Sequence, residues 1–205
     1  RGQPLGGAAP AIEPAATVSW KGLSFGVWSA FSLSQDPYQE IDWTLSYSFW
    51  KKYITLMVTD YSFPTYERDF RYFDYRPDYT THVLEGGLQF SVPKTDLTLS
   101  AFTNFYGNDA RKSNGSLVYS TYCEAKYILT IKKWRTDFDF TCGLALNGKD
   151  NGFYGNDGFG CVNVAVGATK EFFINSSFVL PVYMRVIANP ATDKLYFVAG
   201  TTFSL

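Results

Sequence analysis

From Tyr38 onward the chain alternates without a break. Gln39, Ile41, Trp43, Leu45, Tyr47 and Phe49 fall on one parity, and Tyr38, Glu40, Asp42, Thr44, Ser46 and Ser48 on the other. Successive side chains of a strand point to opposite faces, so a period of two predicts a strand with one apolar and one polar face. The same dyad returns three times. At 97–105 Leu97, Leu99, Ala101, Thr103 and Phe105 oppose Thr98, Ser100, Phe102 and Asn104. At 134–146 Trp134, Thr136, Phe138, Phe140, Cys142 and Leu144 oppose Arg135, Asp137, Asp139 and Thr141. At the C-terminal end Leu195, Phe197, Ala199, Thr201, Phe203 and Leu205 oppose Lys194, Tyr196, Val198, Gly200, Thr202 and Ser204. Weaker strand candidates at 17–31, 53–60, 80–92, 117–131, 160–170 and 174–188 bring the expected number to about ten, within a range of eight to twelve. Each is close to the ~9–11 residues that a tilted strand needs to cross a bilayer.

Connections alternate in length. Trp50–Lys52, Pro93–Thr95, Lys132–Lys133 and Glu171–Phe173 read as tight turns; Ser32–Pro37, Tyr61–Tyr79, Tyr106–Ser116, Asn147–Gly158 and the shorter Asn189–Thr192 read as loops. Sorting of this kind suits an antiparallel up-and-down barrel with short periplasmic turns, long outer loops and both termini inside. A two-residue turn at Lys132–Lys133 predicts that Lys126 faces Asp139 and that Cys123 faces Cys142. Two free thiols or a cross-strand disulfide both fit that pair.

The polar parity collects Glu40, Asp42, Glu85, Glu124, Lys126, Arg135, Asp137, Asp139, Lys170, Arg185 and Lys194. Charges in a dry core are costly, so this face is expected to line a hydrated or salt-bridged lumen while the aromatic-rich face meets lipid. A soluble antiparallel sandwich with one apolar core is the alternative. Residues 1–16, with three Pro, three Gly and five Ala and no periodicity, read as a flexible periplasmic lead-in to a barrel over 17–205. The chain opens on Arg-Gly-Gln-Pro without an initiator Met, as after removal of a signal peptide or after trimming.

Composition narrows the classes. Aromatic residues make up 19% of the 205 residues and charged residues only 18%, with 18 Lys+Arg against 19 Asp+Glu. No basic cluster extends beyond Lys51–Lys52 and Lys132–Lys133, so nucleic acid is not an expected partner. No apolar run reaches the length of a spanning helix, and the mean hydropathy of −0.12 does not exclude spanning strands. Trp20, Trp28, Trp43, Trp50 and Trp134 sit near strand ends, where amphipathic rings suit the headgroup level, though core packing would place them equally well. One His and three Cys without a C-x-x-C pair make a zinc or haem site an unattractive reading, and neither metal nor cofactor is expected.

Candidate chemistry is sparse. His82 and Glu85 have opposite parity and cannot form a dyad without a bulge, so no enzyme is expected. Asp60 with Glu85 could form a carboxylate pair, though a polar lumen produces such pairs by chance. The repeated Phe-Tyr-Gly-Asn-Asp at 105–109 and 153–157 reads as turn chemistry rather than a calcium loop. In the 61–79 loop, Tyr66, Arg68, Phe70, Arg71, Tyr72, Tyr75 and Arg76 form either a docking surface for a glycan or protein or a cap over the chain's own barrel.

The stretches FGVWSAF (25–31), YQEIDWTLSY (38–47), VTDYSFP (58–64), RYFDY (71–75), HVLEGGLQF (82–90), NFYGND (104–109), YSTYCEAKY (119–127), VNVAVGATKEFFINSSFVLPV (162–182) and ANPATDKLYFVAG (188–200) resemble the small Bacteroidetes outer-membrane proteins of the TorF-like porin family. The resemblance covers nearly all of the folded part, and the terminal Leu205 departs mildly from the usual final aromatic. It implies a barrel in the outer membrane of a Gram-negative cell, contacting lipid and lipopolysaccharide, and little about activity. About ten strands enclose too little space for a diffusion pore. The expected function is therefore a narrow or closed barrel: a small-solute channel, or an accessory subunit with a protein partner in an outer-membrane complex. A surface binding module using the 61–79 loop and, behind it, a rim enzyme are the alternatives.

Overall fold

The structure, a computed structural model, describes residues 1–3, 7, 9–34, 38–65, 70–77, 79–176 and 178–204, leaving aside the side chains of 148–151. Twelve strands are formed among these residues: β1 (Ala11–Ile12), β2 (Ala15–Trp20), β3 (Leu23–Ser32), β4 (Gln39–Phe49), β5 (Ile54–Ser62), β6 (His82–Ser91), β7 (Leu97–Gly107), β8 (Thr121–Ile131), β9 (Thr136–Asn151), β10 (Asp157–Phe173), β11 (Val179–Asn189) and β12 (Lys194–Thr201). They make one antiparallel sheet in which each strand from β3 to β11 pairs with its successor. β1 and β2 share the outer edge of β3, and β12 pairs with β11 alone. The fold is all-β and up-and-down, and among the described residues no ladder joins the first and last strands.

Several expected boundaries shift. The 17–31 segment is not one strand but the β2–β3 hairpin, turning at Lys21–Gly22, both at positive φ (48° and 91°). Residues 1–16 are not simply a lead-in, since β1 and the start of β2 pair with β3. The 147–158 loop is mostly strand, because β9 and β10 extend to 16 and 17 residues. The turn after β8 takes four residues, with Arg135 at φ 50°, so Ile131 pairs with Thr136, Lys126 with Thr141 and Cys123 with Leu144. The expected Lys126–Asp139 and Cys123–Cys142 pairings are therefore displaced by two residues. All three cysteines are free. Because the displacement is even, every side chain keeps the face that alternation assigns to it.

Burial runs opposite to that of a water-soluble sheet. Leu45, Val58, Leu88, Leu99, Phe140, Val166, Val186 and Phe197, from eight different strands, are each at least 41% exposed, whereas Glu40, Glu85, Asn104, Asp139 and Asn163 are buried. The sheet curls with its polar face inward. Its small apolar cluster of Tyr122, Ala145, Tyr154 and Val162 lies inside, toward the long-loop end. At the short-turn end Trp20, Trp50 and Trp134 are all exposed.

Candidate functional site

The first three residues, read from sequence as flexible and periplasmic, enter the curled sheet at its long-loop end. Arg1 forks onto Glu85: Nη1 donates to Oε2, and Nη2 donates to Oε1 at 2.7 Å. Nη1 also donates to the Tyr154 hydroxyl (2.9 Å) and Nη2 to the Tyr61 hydroxyl (3.1 Å). The guanidinium carbon lies 4.3 Å from the centre of the Phe102 ring and 5.2 Å from that of Tyr122, within cation–π range. Tyr61 is oriented by Glu85 itself, donating to Oε1 at 2.8 Å. Gly2 holds the entry: at φ 75° its missing Cβ would fall 1.8 Å from the Val162 carbonyl oxygen. Asn189 Nδ2 donates to the Gly2 carbonyl at 2.9 Å, and Gln3 Nε2 to that of Phe153 at 2.8 Å.

Below this cage runs a second polar layer. Tyr122 donates to Glu124 Oε2 (2.6 Å) and accepts from Asn163 Nδ2 (2.9 Å). It reaches them over Gly143, where any Cβ would sit 2.1 Å from the hydroxyl. Asp139 and Arg185 both flank Gly167 in the ladders. Arg185 Nη2 lies 2.8 Å from Asp139 Oδ2, as an ion pair rather than an aligned hydrogen bond. Two interior cavities, of about 340 and 110 Å³, are both lined by Arg1. Glu40 and Asp42 line the larger, Glu124, Lys126 and Arg185 the smaller. Asp42 Oδ1 is buried without a partner.

Of the residues assigned to the lumen, Glu40, Asp42, Glu85, Glu124, Lys126, Asp139 and Arg185 therefore gather inside. Asp137 and Lys194 keep the inward parity but are exposed at opposite strand ends. Arg135 and Lys170 do not join the inner face of the sheet. Arg135 lies in the β8–β9 turn with its guanidinium 4.0 Å from the Phe173 ring centre. Lys170 shares the outward parity of Val164, Val166 and Ala168, and its Nζ donates to the Trp134 carbonyl at 3.1 Å. Trp28 lines the larger cavity rather than a strand rim. The sequence reading missed Arg1, Tyr61, Tyr122 and Tyr154. Period two carries a signal for the strand tyrosines, but nothing in residues 1–16 marks the arginine.

On the outer wall residues 70–77 of the 61–79 loop fold down as a cap. Tyr66 and Arg68 lie outside the described residues. Trp43 Nε1 donates to the Tyr72 hydroxyl (2.8 Å), Tyr75 donates to Asp60 Oδ2 (2.7 Å) and Tyr106 donates to the Tyr75 carbonyl (2.6 Å). His82, fully buried on this outer face, uses Nδ1 on Asp60 Oδ1 (2.8 Å) and Nε2 on the Tyr72 carbonyl. Glu85 faces the opposite way, so the two do not form a dyad; its register neighbour is Thr59, while Asp60 faces Leu84. Ser62 Oγ is buried beside His82 without a partner, but both ring nitrogens are engaged and neither is left to accept its proton. Phe70, Arg71 and Arg76 lie along the loop; the Arg76 guanidinium beside Asp74 holds that carboxyl down at about 2. Burial, aided by Asp60, pushes the Tyr75 hydroxyl up.

A scan against family models, a search of curated proteins and a search of solved structures each found no match to this chain.

Proposed function

We propose that the chain is a narrow outer-membrane β-barrel whose lumen is closed at rest by its own first residues, and that it serves as a small-solute channel. The observation that carries this reading is the inverted burial: apolar side chains from eight strands face outward while carboxylates and amides are buried within. Water would penalise such a surface by roughly 25 cal/mol per Å² of apolar area, whereas hydrocarbon accepts it. The lysine-bearing short turns β2–β3, β4–β5, β6–β7 and β8–β9, together with exposed Trp20, Trp50 and Trp134 at the same end, match the amphipathic girdle of a lipid interface. Closure into a barrel follows from the same environment, since lipid leaves no partner for an open sheet edge. The resemblance to TorF-like porins belongs to this proposal and rests on the sequence stretches alone.

A diffusion pore is disfavoured by the interior. Arg1 lines two of its cavities, of about 340 and 110 Å³, and Tyr154 folds from the β9–β10 loop onto the guanidinium. The test is extraction followed by conductance. The protein should leave membranes only with detergent and migrate differently before and after boiling. In planar bilayers it should pass small currents or none; porin-sized steps, or solubility without detergent, would reject the reading.

A further inference from the structure

We infer that the cage around Arg1 is a binding site for guanidinium-bearing solutes, occupied in the resting molecule by the chain's own arginine as a tethered competitor. The inference rests on the reading of the interior as the lumen of a lipid-embedded barrel and names the class of solute which that lumen takes.

The geometry selects a guanidinium over other cations. All four Nη–H bonds of Arg1 are used, two on the oxygens of Glu85 and one each on the hydroxyls of Tyr61 and Tyr154. Four coplanar donors in a fixed fork are a property of guanidinium. An ammonium offers three tetrahedral donors and cannot meet both carboxylate oxygens and both phenols from one position. The Phe102 ring, 4.3 Å from the guanidinium carbon, completes a planar slot that stacks a flat cation.

The cage is also built to be refilled. Glu85 is 2% exposed, and Tyr61 donates to Glu85 as well as accepting from the arginine, so these two acceptors keep a mutual bond when Arg1 swings out. A buried carboxylate without a counter-charge is unfavourable, which favours exchange of one cation for another over an empty slot. The larger cavity is lined by three carboxylates (Glu40, Asp42, Glu85), and Arg1 is the one cationic side chain among its described lining residues. The adjoining cavity of about 340 Å³, with Asp42 Oδ1 unpartnered at its wall, falls within the ~300–1,000 Å³ of small-molecule sites. It can hold the amine-bearing remainder of an arginine-like solute.

Calorimetric titration of the full chain in detergent with L-argininamide, and with L-lysinamide as an equally charged control, tests this. Arg1→Ala should bind argininamide at least ~10-fold more tightly than the unsubstituted chain, because the tethered arginine competes at an effective concentration in the millimolar range. It should also prefer argininamide over lysinamide by ~10-fold or more, reflecting the lost fork, and Glu85→Gln in the Arg1→Ala background should abolish binding. Arg1→Gln carries the same expectations and replaces Arg1→Ala if that variant does not fold. Folded Arg1 variants, judged by heat-modifiable migration, that bind no argininamide or bind lysinamide equally well would overturn the inference. Solubility without detergent would instead overturn the barrel reading and leave the titration result standing on its own.

Discussion

Gly167 is what allows Asp139 and Arg185 to meet across an intervening strand. A Cβ there would lie 2.3 Å from Asp139 Oδ1, so Gly167→Ala should push the carboxylate off its partner and destabilise the fold by ~1–3 kcal/mol through overpacking. Gly86→Ala is the matched control. It meets only the Phe105 ring at 3.7 Å, an ordinary contact, and should change stability by no more than ~0.5 kcal/mol; urea unfolding of both variants measures the difference. A second single-residue effect lies in the loop. Asp74 is held at about 2 by Arg76, below the ordinary ~3.9 of a free aspartate. Its pairing is thus fully present above the ordinary value and lost as pH falls through about 2. Carboxyl carbon NMR should show Asp74 titrating at about 2, and Arg76→Gln should return it to the ordinary range. At this scale alternation alone identified Glu40, Asp42, Glu85, Glu124, Lys126, Asp139 and Arg185 as inward. The same alternation puts Lys170 outward with Val164 and Val166, despite its charge. Arg1 was not legible, because a residue that reaches its site through a Gly turn in a non-periodic segment leaves no pattern.

Strand β4 separates the two faces most cleanly, since Leu45 points outward at 50% exposure while the next residue, Ser46, faces inward between Ser24 and Met57 in the ladders. In lipid, Leu45→Arg should cost ~2–4 kcal/mol, the penalty of a cation on the lipid face near the midplane. Ser46→Arg, one residue away, should cost well below that. Refolding into bilayers of graded thickness, read by heat-modifiable migration, compares them, and equal penalties would remove the distinction between faces. The outer cap over β5 and β6 makes a prediction of its own. His82→Phe keeps an aromatic ring but removes the bonds to Asp60 and to the Tyr72 carbonyl, so trypsin should cut after Arg71, though not at the Arg76–Pro77 bond, while the remaining strands stay protected. Strand identity was legible because each strand repeats its dyad several times. Turn length was not: Lys132–Lys133 and the four-residue Lys132–Arg135 turn keep the same parity, and only the positive φ of Arg135 distinguishes them. The split of 17–31 into β2 and β3 was hidden for a related reason, as Lys21–Gly22 interrupts a stretch whose two halves both alternate.

Taken whole, the molecule has one unresolved tension: a surface suited to lipid and a sheet with a free edge at β12. Unpaired backbone groups in hydrocarbon cost several kcal/mol each, so in a membrane that edge must be covered. Counting along the sheet, β12 is antiparallel to β3 and therefore parallel to β2, which already occupies the free edge of β3 over six register pairs. Two closures follow: a parallel β2–β12 seam, or an antiparallel β3–β12 seam after β1 and β2 peel away. The position of Glu13, between β1 and β2, favours the first. It lines one cavity with Tyr183, Arg185 and Val198 of β11 and β12, so the β1–β2 segment faces that edge across a gap which the seam would close. Disulfide scanning decides between them, since cross-linking needs Cα separations of about 4.4–6.8 Å. With the three native cysteines replaced by serine, a cysteine at Val18 should cross-link in bilayers with one of Phe197, Ala199 or Thr201, each tested as cysteine. A cysteine at Phe25 of β3 should not cross-link with any of them. The opposite result would mean that the ring closes through β3 with ten strands, freeing β1, β2 and the arginine at the head of the chain together, and the lumen would then open by release of the whole N-terminal segment rather than by exchange at a single side chain.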